Sequence, residues 1–300
     1  MYAVMGASGN TGSVVAGKLL SQGKKVRALG RDANRLRPLV QQGAEAVEAN
    51  ALHAAALTKA FNGVNAAYVM LPPDPANNDV LGYEAQAADA ITTALQNAGV
   101  EYAVALSSFG ADKSDKTGPV LGLHHLERKL SAIPKLNAVF LRAGYFMENT
   151  LPQVTVIKNF GMMGGPLRGD LKLPMIATRD IGTRAAELLL SLDFKDKRSH
   201  ELQGYRDLSY DETATIIGQV ISKPDLRYVQ LPPVQLRPSL VQMGMSGNFV
   251  DLLLQMCDAL NSEHMKALEP RSARNTTPTS FENFVASEFV PRFVGKTAGA

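Results

Sequence analysis

The first half of the chain alternates short, nearly continuous aliphatic runs with longer stretches in which apolar residues return every three or four positions. The short runs, Tyr2–Met5, Lys25–Leu29, Ala46–Glu48, Ala66–Leu71, Tyr102–Ser107 and Ala138–Arg142, read as strands. Their apolar residues are consecutive rather than alternating, so both faces of the sheet should be covered, as in parallel sheets flanked by helices. The longer stretches, Gly12–Gln22, Asn34–Gln41, Ala54–Phe61, Asp79–Asn97 and Leu121–Ala132, read as helices. Pro38 should kink or shorten the second, because its ring removes a hydrogen bond and crowds the preceding turn. Strand–helix alternation with right-handed crossovers predicts an α/β fold built on a doubly wound parallel sheet.

Beyond residue 150 the pattern loosens. Gly161–Pro166 predicts a loop, and Asp180–Leu192 a helix capped by Asp180. Ser209 with Glu212, and Thr279 with Glu282, have the spacing of capping boxes that open helices. Pro232-Pro233 breaks the chain before helical patterns at Val234–Met243 and Phe249–Leu260. The expected organisation is a dinucleotide-binding unit over residues 1–150, to which 170–200 return, and a smaller, mostly helical substrate or partner region over 151–169 and 201–300. Gly295–Ala300 are expected to be disordered.

Composition narrows the function classes. The chain has 300 residues, 45% hydrophobic and 20% charged, ordinary values for a soluble globular protein. No apolar run approaches the roughly 20 residues needed to span a bilayer, so no membrane association is expected. The first glycine arrives too early for a secretory signal. Cys257 is the single cysteine, which excludes intramolecular disulfides and Cys-rich metal sites; a reducing cytoplasm is the expected location and no metal is expected. The net charge of +3 comes from 31 basic and 28 acidic side chains without a basic block. The run Lys195-Asp196-Lys197-Arg198 is short, interrupted by an acid and read as a solvated loop, so no nucleic-acid partner is expected.

Gly6-Ala7-Ser8-Gly9-Asn10-Thr11-Gly12 carries the most chemistry. It follows a short strand and opens a helix, the context in which a glycine-rich turn cradles a dinucleotide in a Rossmann-type unit. Gly6 permits the tight turn, Gly9 lets backbone approach a pyrophosphate, and Gly12 lets helix and strand pack closely. Backbone N–H groups of the loop, with Ser8, Asn10 and Thr11, would face the diphosphate at the positive end of the helix dipole. The second strand ends Leu29-Gly30-Arg31-Asp32, with no carboxylate at its tip to take ribose hydroxyls. Arg31 instead suits the 2′-phosphate of NADPH, which a guanidinium holds by a fork of charge-assisted bonds. Asp32 either neutralises Arg31 or caps the next helix. Arg35 and Arg37 are secondary candidates, and Leu71-Pro72-Pro73 would lie over the cofactor.

These segments, with Leu106-Ser107-Ser108-Phe109-Gly110, Leu141–Asn149, Asp180-Ile181-Gly182, Ser209–Glu212 and, more loosely, Thr279–Phe284, follow one another as in the NmrA-like group of atypical short-chain dehydrogenase/reductases. The chain resembles that group over nearly its whole length. Within it, the sequence is most similar to bacterial NADPH:quinone oxidoreductases and to nucleotide-sensing regulators. The resemblance implies that Asn50 replaces an Asp that reads the adenine amino group. It also implies that Ser107 and Ser108 hold the place of a serine that binds a carbonyl oxygen.

Short-chain reductases normally add Tyr-x-x-x-Lys on the following helix, and this sequence lacks it. His125 and Lys129, with i, i+4 spacing, stand where the pair would be. An imidazole can relay a proton near neutral pH, and Lys129 could touch the nicotinamide ribose. His124 projects about 100° away, so the two histidines cannot both face the centre of the cleft. Tyr145, Phe146 and Asn149, with Met162 and Met163, are candidates for a substrate surface; core packing competes for Phe146 and the methionines.

Two functions fit. One is NADPH-dependent reduction of a quinone or similar small carbonyl compound, which accepts hydride readily enough to tolerate the missing Tyr. The other is a non-catalytic NADP(H)-binding redox sensor. It would act on a protein partner through the C-terminal helices, where Met243, Met245, Phe249 and Leu252–Leu254 cluster; that cluster could equally form a homodimer contact or close the cleft. Nucleotide-sugar epimerisation is disfavoured, because it needs the strong base that the Tyr would provide.

Overall fold

The computed structural model of the chain describes residues 1–295. The strands are β1 (Tyr2–Val4), β2 (Val26–Gly30), β3 (Glu45–Glu48), β4 (Ala66–Val69), β5 (Tyr102–Ser108) and β6 (Asn137–Ala143), followed by the short β7 (Tyr145–Phe146), β8 (Met163–Gly165) and β9 (Leu173–Ile176), and then β10 (Lys197–Leu202), β11 (Asp207–Leu208) and β12 (Tyr228–Gln230). The helices are α1 (Asn10–Ser21), α2 (Arg37–Val40), α3 (Ala54–Phe61), α4 (Val80–Asn97), α5 (Val120–Ser131), α6 (Gln153–Phe160), α7 (Thr178–Ser191), α8 (Tyr210–Val220), α9 (Pro233–Gln242), α10 (Gly247–Asn261), α11 (Phe281–Phe284) and α12 (Val290–Phe293).

A 7-stranded sheet in the order β10-β6-β5-β4-β1-β2-β3 is the frame, and every neighbouring pair in it is parallel. One core lies under α3, α4 and α5, and a second under α1 and α7 on the opposite face. All four residues of β4 are buried, as the continuous apolar pattern predicts for a central strand covered on both sides. A third core, among α6, α8, α10 and α11, sits beside the sheet with the small groups β11-β9-β7 and β12-β8.

The predicted strands and helices of the first half are present within a residue or two. Asn34–Gln41 is broken, as Pro38 requires, into a 3-10 turn at Ala33–Leu36 and the single turn of α2. The capping box at Ser209 is complete: Ser209 Oγ accepts from Glu212 N at 3.2 Å and Glu212 accepts from Ser209 N at 2.8 Å.

Four expectations are corrected. Gly161–Pro166 is not wholly a loop, because Met163–Gly165 form β8 and pair with β12. Asp180 does not cap α7; Glu148 does, accepting Thr178 N at 3.0 Å and Thr178 Oγ1 at 2.6 Å. Asp180 instead takes Thr279 N and Oγ1 at 3.0 and 2.8 Å, and the cap of α11 moves one residue on, to Ser280. Lys197 and Arg198 are not a solvated loop. They begin β10, an edge strand paired with β6, and Lys197 Nζ donates to Ile133 O at 2.7 Å. At the predicted disordered end, Gly295 closes a turn on Arg292, and residues 296–300 lie outside the described residues. Among the described residues, no helix is long and apolar enough to cross a membrane.

Candidate active site

Because the strands are parallel, the turns after β1, β2, β3, β4, β5 and β6 share one edge of the sheet. The order changes direction at β1 and β4, which is where open α/β sheets leave a crevice for ligands. A Cβ on Gly6 would stand 3.1 Å from Met70 Sδ, so the loops after β1 and β4 do adjoin there.

The glycine loop has the shape the sequence predicts. Gly6 has φ +60°, and Gly9 N closes the turn on Gly6 O at 2.8 Å. A Cβ at Gly12 would come within 2.7 Å of the Gly6 carbonyl carbon and 2.9 Å of Met5 O, both backbone atoms. Below the loop, buried Tyr68 donates to Thr11 Oγ1 at 2.9 Å. The first turn of α1 carries no acidic residue, and no side chain among the described residues caps it. Its leading N–H groups therefore need an outside acceptor, and Gly9 and Asn10 are open to solvent at the mouth. Gly182 lets α7 cross closely: a Cβ there would lie 2.7 Å from Thr11 O.

Arg31 is exposed and makes neither a hydrogen bond nor an ion pair among the described residues. Asp32 does not neutralise it, because Asp32 Oδ1 caps the next turn through Asn34 N at 2.8 Å. Burial raises the Tyr83 pKa at the start of α4, the Arg31 charge opposes that rise, and Asp74 and Glu84 add to it. Arg35 and Arg37 are exposed on the outer turn. Asn50 Oδ1 accepts Leu52 N at 2.9 Å, so the carbonyl that would read an adenine amino group already shapes the loop after β3. Leu71 is buried and Pro72 half-buried beside the crevice.

The remaining candidates are not brought together. His125 Nε2 and Lys129 Nζ lie 3.3 and 2.7 Å from Asp89 Oδ1 on α4. Asp89 is nine residues into α4, about 13 Å down from the strand-end rim at 1.5 Å per residue. Both side chains are thus held on the outer seam between helices rather than over the cleft. Leu123 marks the inward face of α5, because it packs against both the α3–α5 core and the C-terminal core. That face lies about 200° round the helix from His125. Four residues beyond Leu123 comes Glu127, buried, accepting Arg142 Nε and Nη2 at 3.0 and 2.6 Å and Ser107 Oγ at 2.5 Å. Ser107 therefore gives its only hydroxyl proton to Glu127 and is not free to bind a carbonyl oxygen. His124 Nδ1 meets Ala111 O at 2.8 Å on another side of α5.

Tyr145 and Phe146 form β7, and consecutive strand residues point to opposite faces. Tyr145 shares a 3.0 Å hydrogen bond with Tyr210 in the C-terminal core, while Phe146 packs with the α1–α7 core. Asn149 is exposed, Met162 is half-buried, and Met163 is buried in the same C-terminal core as Tyr145. We expect His125→Phe and Lys129→Ala each to leave nucleotide affinity and turnover within about twofold of the parent, as exposed paired charges contribute little. A tenfold loss of either quantity would return these residues to the site.

Two features escaped the sequence reading. The start of α10 is fastened to the loop after β4: Ser246 N donates to Pro75 O at 2.8 Å, and Val80 N to Asn248 Oδ1 at 2.9 Å. Gly118 N also donates to Gln255 Oε1 at 3.1 Å, so α10 walls the cleft from above. The second feature is Glu84, buried in the seam between α4 and α5, where a Cβ on Gly122 would stand 2.7 Å from its own Cβ. Its Oε2 has no partner among the described residues, and burial pushes its pKa up to about 8. The folded chain thus holds a proton that the unfolded chain has released, and stability should fall as pH rises from the ordinary carboxylate range to about 8. Glu84→Gln should flatten that fall, by at most about 1.4 kcal/mol per pH unit, in urea unfolding followed across pH. Unchanged pH dependence would contradict the burial of a neutral carboxyl.

The sequence profile of the NmrA-like family matches residues 2–285. The chain belongs to the NmrA-like family. It is 29% identical over 264 residues to an NAD(P)H azoreductase of Xenophilus azovorans, an alignment covering 85% of this chain and 86% of that one. Its fold is similar to that of an NADPH-dependent quinone oxidoreductase from Escherichia coli solved with NADPH, with TM-score 0.81 and 22% identity, covering 95% and 99% of the two chains. It is also similar in fold to NmrA, a negative transcriptional regulator solved with NADP, with TM-score 0.73 and 14% identity, covering 98% and 97%.

Proposed function

We propose that this NmrA-like chain is an NADPH-dependent oxidoreductase that reduces a quinone or a similar small carbonyl compound. The observation that carries the reading is the uncapped start of α1, held open by glycines whose Cβ positions are filled, beside an Arg31 that is committed to nothing else among the described residues. Bound NADPH would supply a hydride from its nicotinamide. The chain's part is to hold the diphosphate on the amides of Ser8 and of Asn10, Thr11 and Gly12, to fork the 2′-phosphate with Arg31, and to keep the ring under the wall formed by α10. A quinone suits a site without Tyr-x-x-x-Lys, because hydride transfer leaves a stabilised hydroquinone anion and needs little acid assistance. The azoreductase and quinone oxidoreductase relatives support the same class of chemistry.

The commitment of His125 and Lys129 to Asp89 and of Ser107 to Glu127 favours a second reading, a nucleotide-sensing regulator without turnover. Mixing the purified chain with NADPH and 1,4-benzoquinone, while following nicotinamide absorbance, separates them. Catalysed cofactor consumption supports the reductase. Binding without consumption across several quinones supports the regulator. Arg31→Ala should weaken NADPH by about 1.5–3 kcal/mol, roughly ten- to a hundredfold, and NADH hardly at all. Equal losses for the two nucleotides would remove Arg31 from the 2′-phosphate.

A further inference from the structure

A cavity of about 760 Å³ runs along the free edge of the sheet, between α7, β10 and the segment 269–278. Its wall is firmly built. Glu201 accepts Leu268 N at 3.0 Å and Glu269 N at 2.8 Å, Gln203 N donates to Asn275 O at 2.7 Å, and Thr277 N returns to Gln203 O at 3.0 Å. Asp180 anchors Thr279 just beyond the segment.

Arg184, Arg198, Arg274 and His200 line this space. Of the carboxylates there, Asp180 is taken up by Thr279 and Glu187 by Arg184 Nη1 at 3.1 Å, leaving Glu269. Among the described residues, Arg184 Nε and His200 Nε2 are buried without partners, and such groups are costly to leave unmet. Arg274 has neither hydrogen bond nor ion pair among the described residues, and Asp193 stands a distant 4.0 Å from Arg198. Burial and the neighbouring guanidinium of Arg184 lower the His200 pKa, so its ring offers hydrogen bonding rather than charge. Leu188, Leu202 and Val139 give the cavity an apolar side, and its volume suits an organic molecule. The cavity runs from Val139 and Arg198, near the beginnings of β6 and β10, to Leu202 at the end of β10, with β6 and β5 between this edge and the nucleotide crevice at β4 and β1.

We propose that this cavity binds a small organic anion, a phosphate ester or carboxylate on an apolar body, with Arg184, Arg198 and Arg274 gripping the anionic head. Calorimetry on the intact chain with phenyl phosphate, benzoate and neutral benzyl alcohol tests it. At least one anion should bind saturably and more tightly than the alcohol. Phenyl phosphate ahead of benzoate marks a phosphate site, and the reverse marks a carboxylate site. Arg274→Gln and Arg198→Gln should each weaken that anion about tenfold or more, while Arg31→Ala leaves it unchanged. Arg274 has no partner to lose among the described residues, so its variant should keep the parent melting temperature. Absence of anion binding, equal binding of benzyl alcohol, or a loss on Arg31→Ala but not on Arg274→Gln would overturn the assignment.

Discussion

Replacing Gly12 with alanine is expected to abolish nucleotide binding and to destabilise the chain by roughly 1–3 kcal/mol, the usual cost of forcing atoms into packed space. The new Cβ would press on the carbonyl of Gly6 and on Met5 O, which are backbone atoms and cannot rotate aside. Either α1 must withdraw from β1 or the turn at Gly6 must open, and both changes spoil the line of N–H groups that a diphosphate needs. Gly9→Ala should be milder, since a Cβ there meets only Gly6 O, at 3.2 Å. Titration calorimetry with NADPH and urea unfolding of both variants measure the two effects. A Gly12→Ala chain that binds NADPH like its parent would show that close packing of loop and helix is not what shapes the cradle.

Glu127→Ala is expected to cost about 3–5 kcal/mol, because it strands the Arg142 guanidinium without its charge partner. A guanidinium stays protonated at any working pH, so the positive charge of Arg142 persists when the partner is removed. Ser107, also buried, loses its acceptor in the same step. Replacing both charged residues together, Glu127→Leu with Arg142→Met, should recover most of the loss, since an apolar pair in a packed site is often as stable as an ion pair. Urea unfolding of the single and double variants decides it. A single variant within 1 kcal/mol of the parent would mean that the pair is solvated.

The sheet was legible wherever burial on both faces makes a strand continuously apolar, as at Ala66–Val69, and wherever glycines punctuate a turn, as at residues 6 to 12. β10 was not, because Lys197-Arg198-Ser199-His200-Glu201-Leu202 has one apolar residue; its strand character comes from pairing with β6. Spacing also misled. An i, i+4 interval identifies two residues on one helix face but does not say which face meets the cleft, and Asp89, distant in sequence, decides that for His125 and Lys129. Glu127 stands in a charged run and Glu84 among mostly small and apolar residues of α4, and only the packing of α4 against α5 and of α5 against β5 reveals them as buried. The cap at Ser246 was hidden for a similar reason: its partners Pro75 and Asn77 lie in another part of the chain.

The central claim is that bare amides at the start of α1, with Arg31 beside them, hold the phosphates of a reduced pyridine nucleotide. Titration calorimetry of the intact chain with NADPH and then NADH tests it most directly. The account predicts saturable binding of one NADPH per chain and distinctly weaker binding of NADH. No heat with either nucleotide, or equal affinity for both, would contradict it.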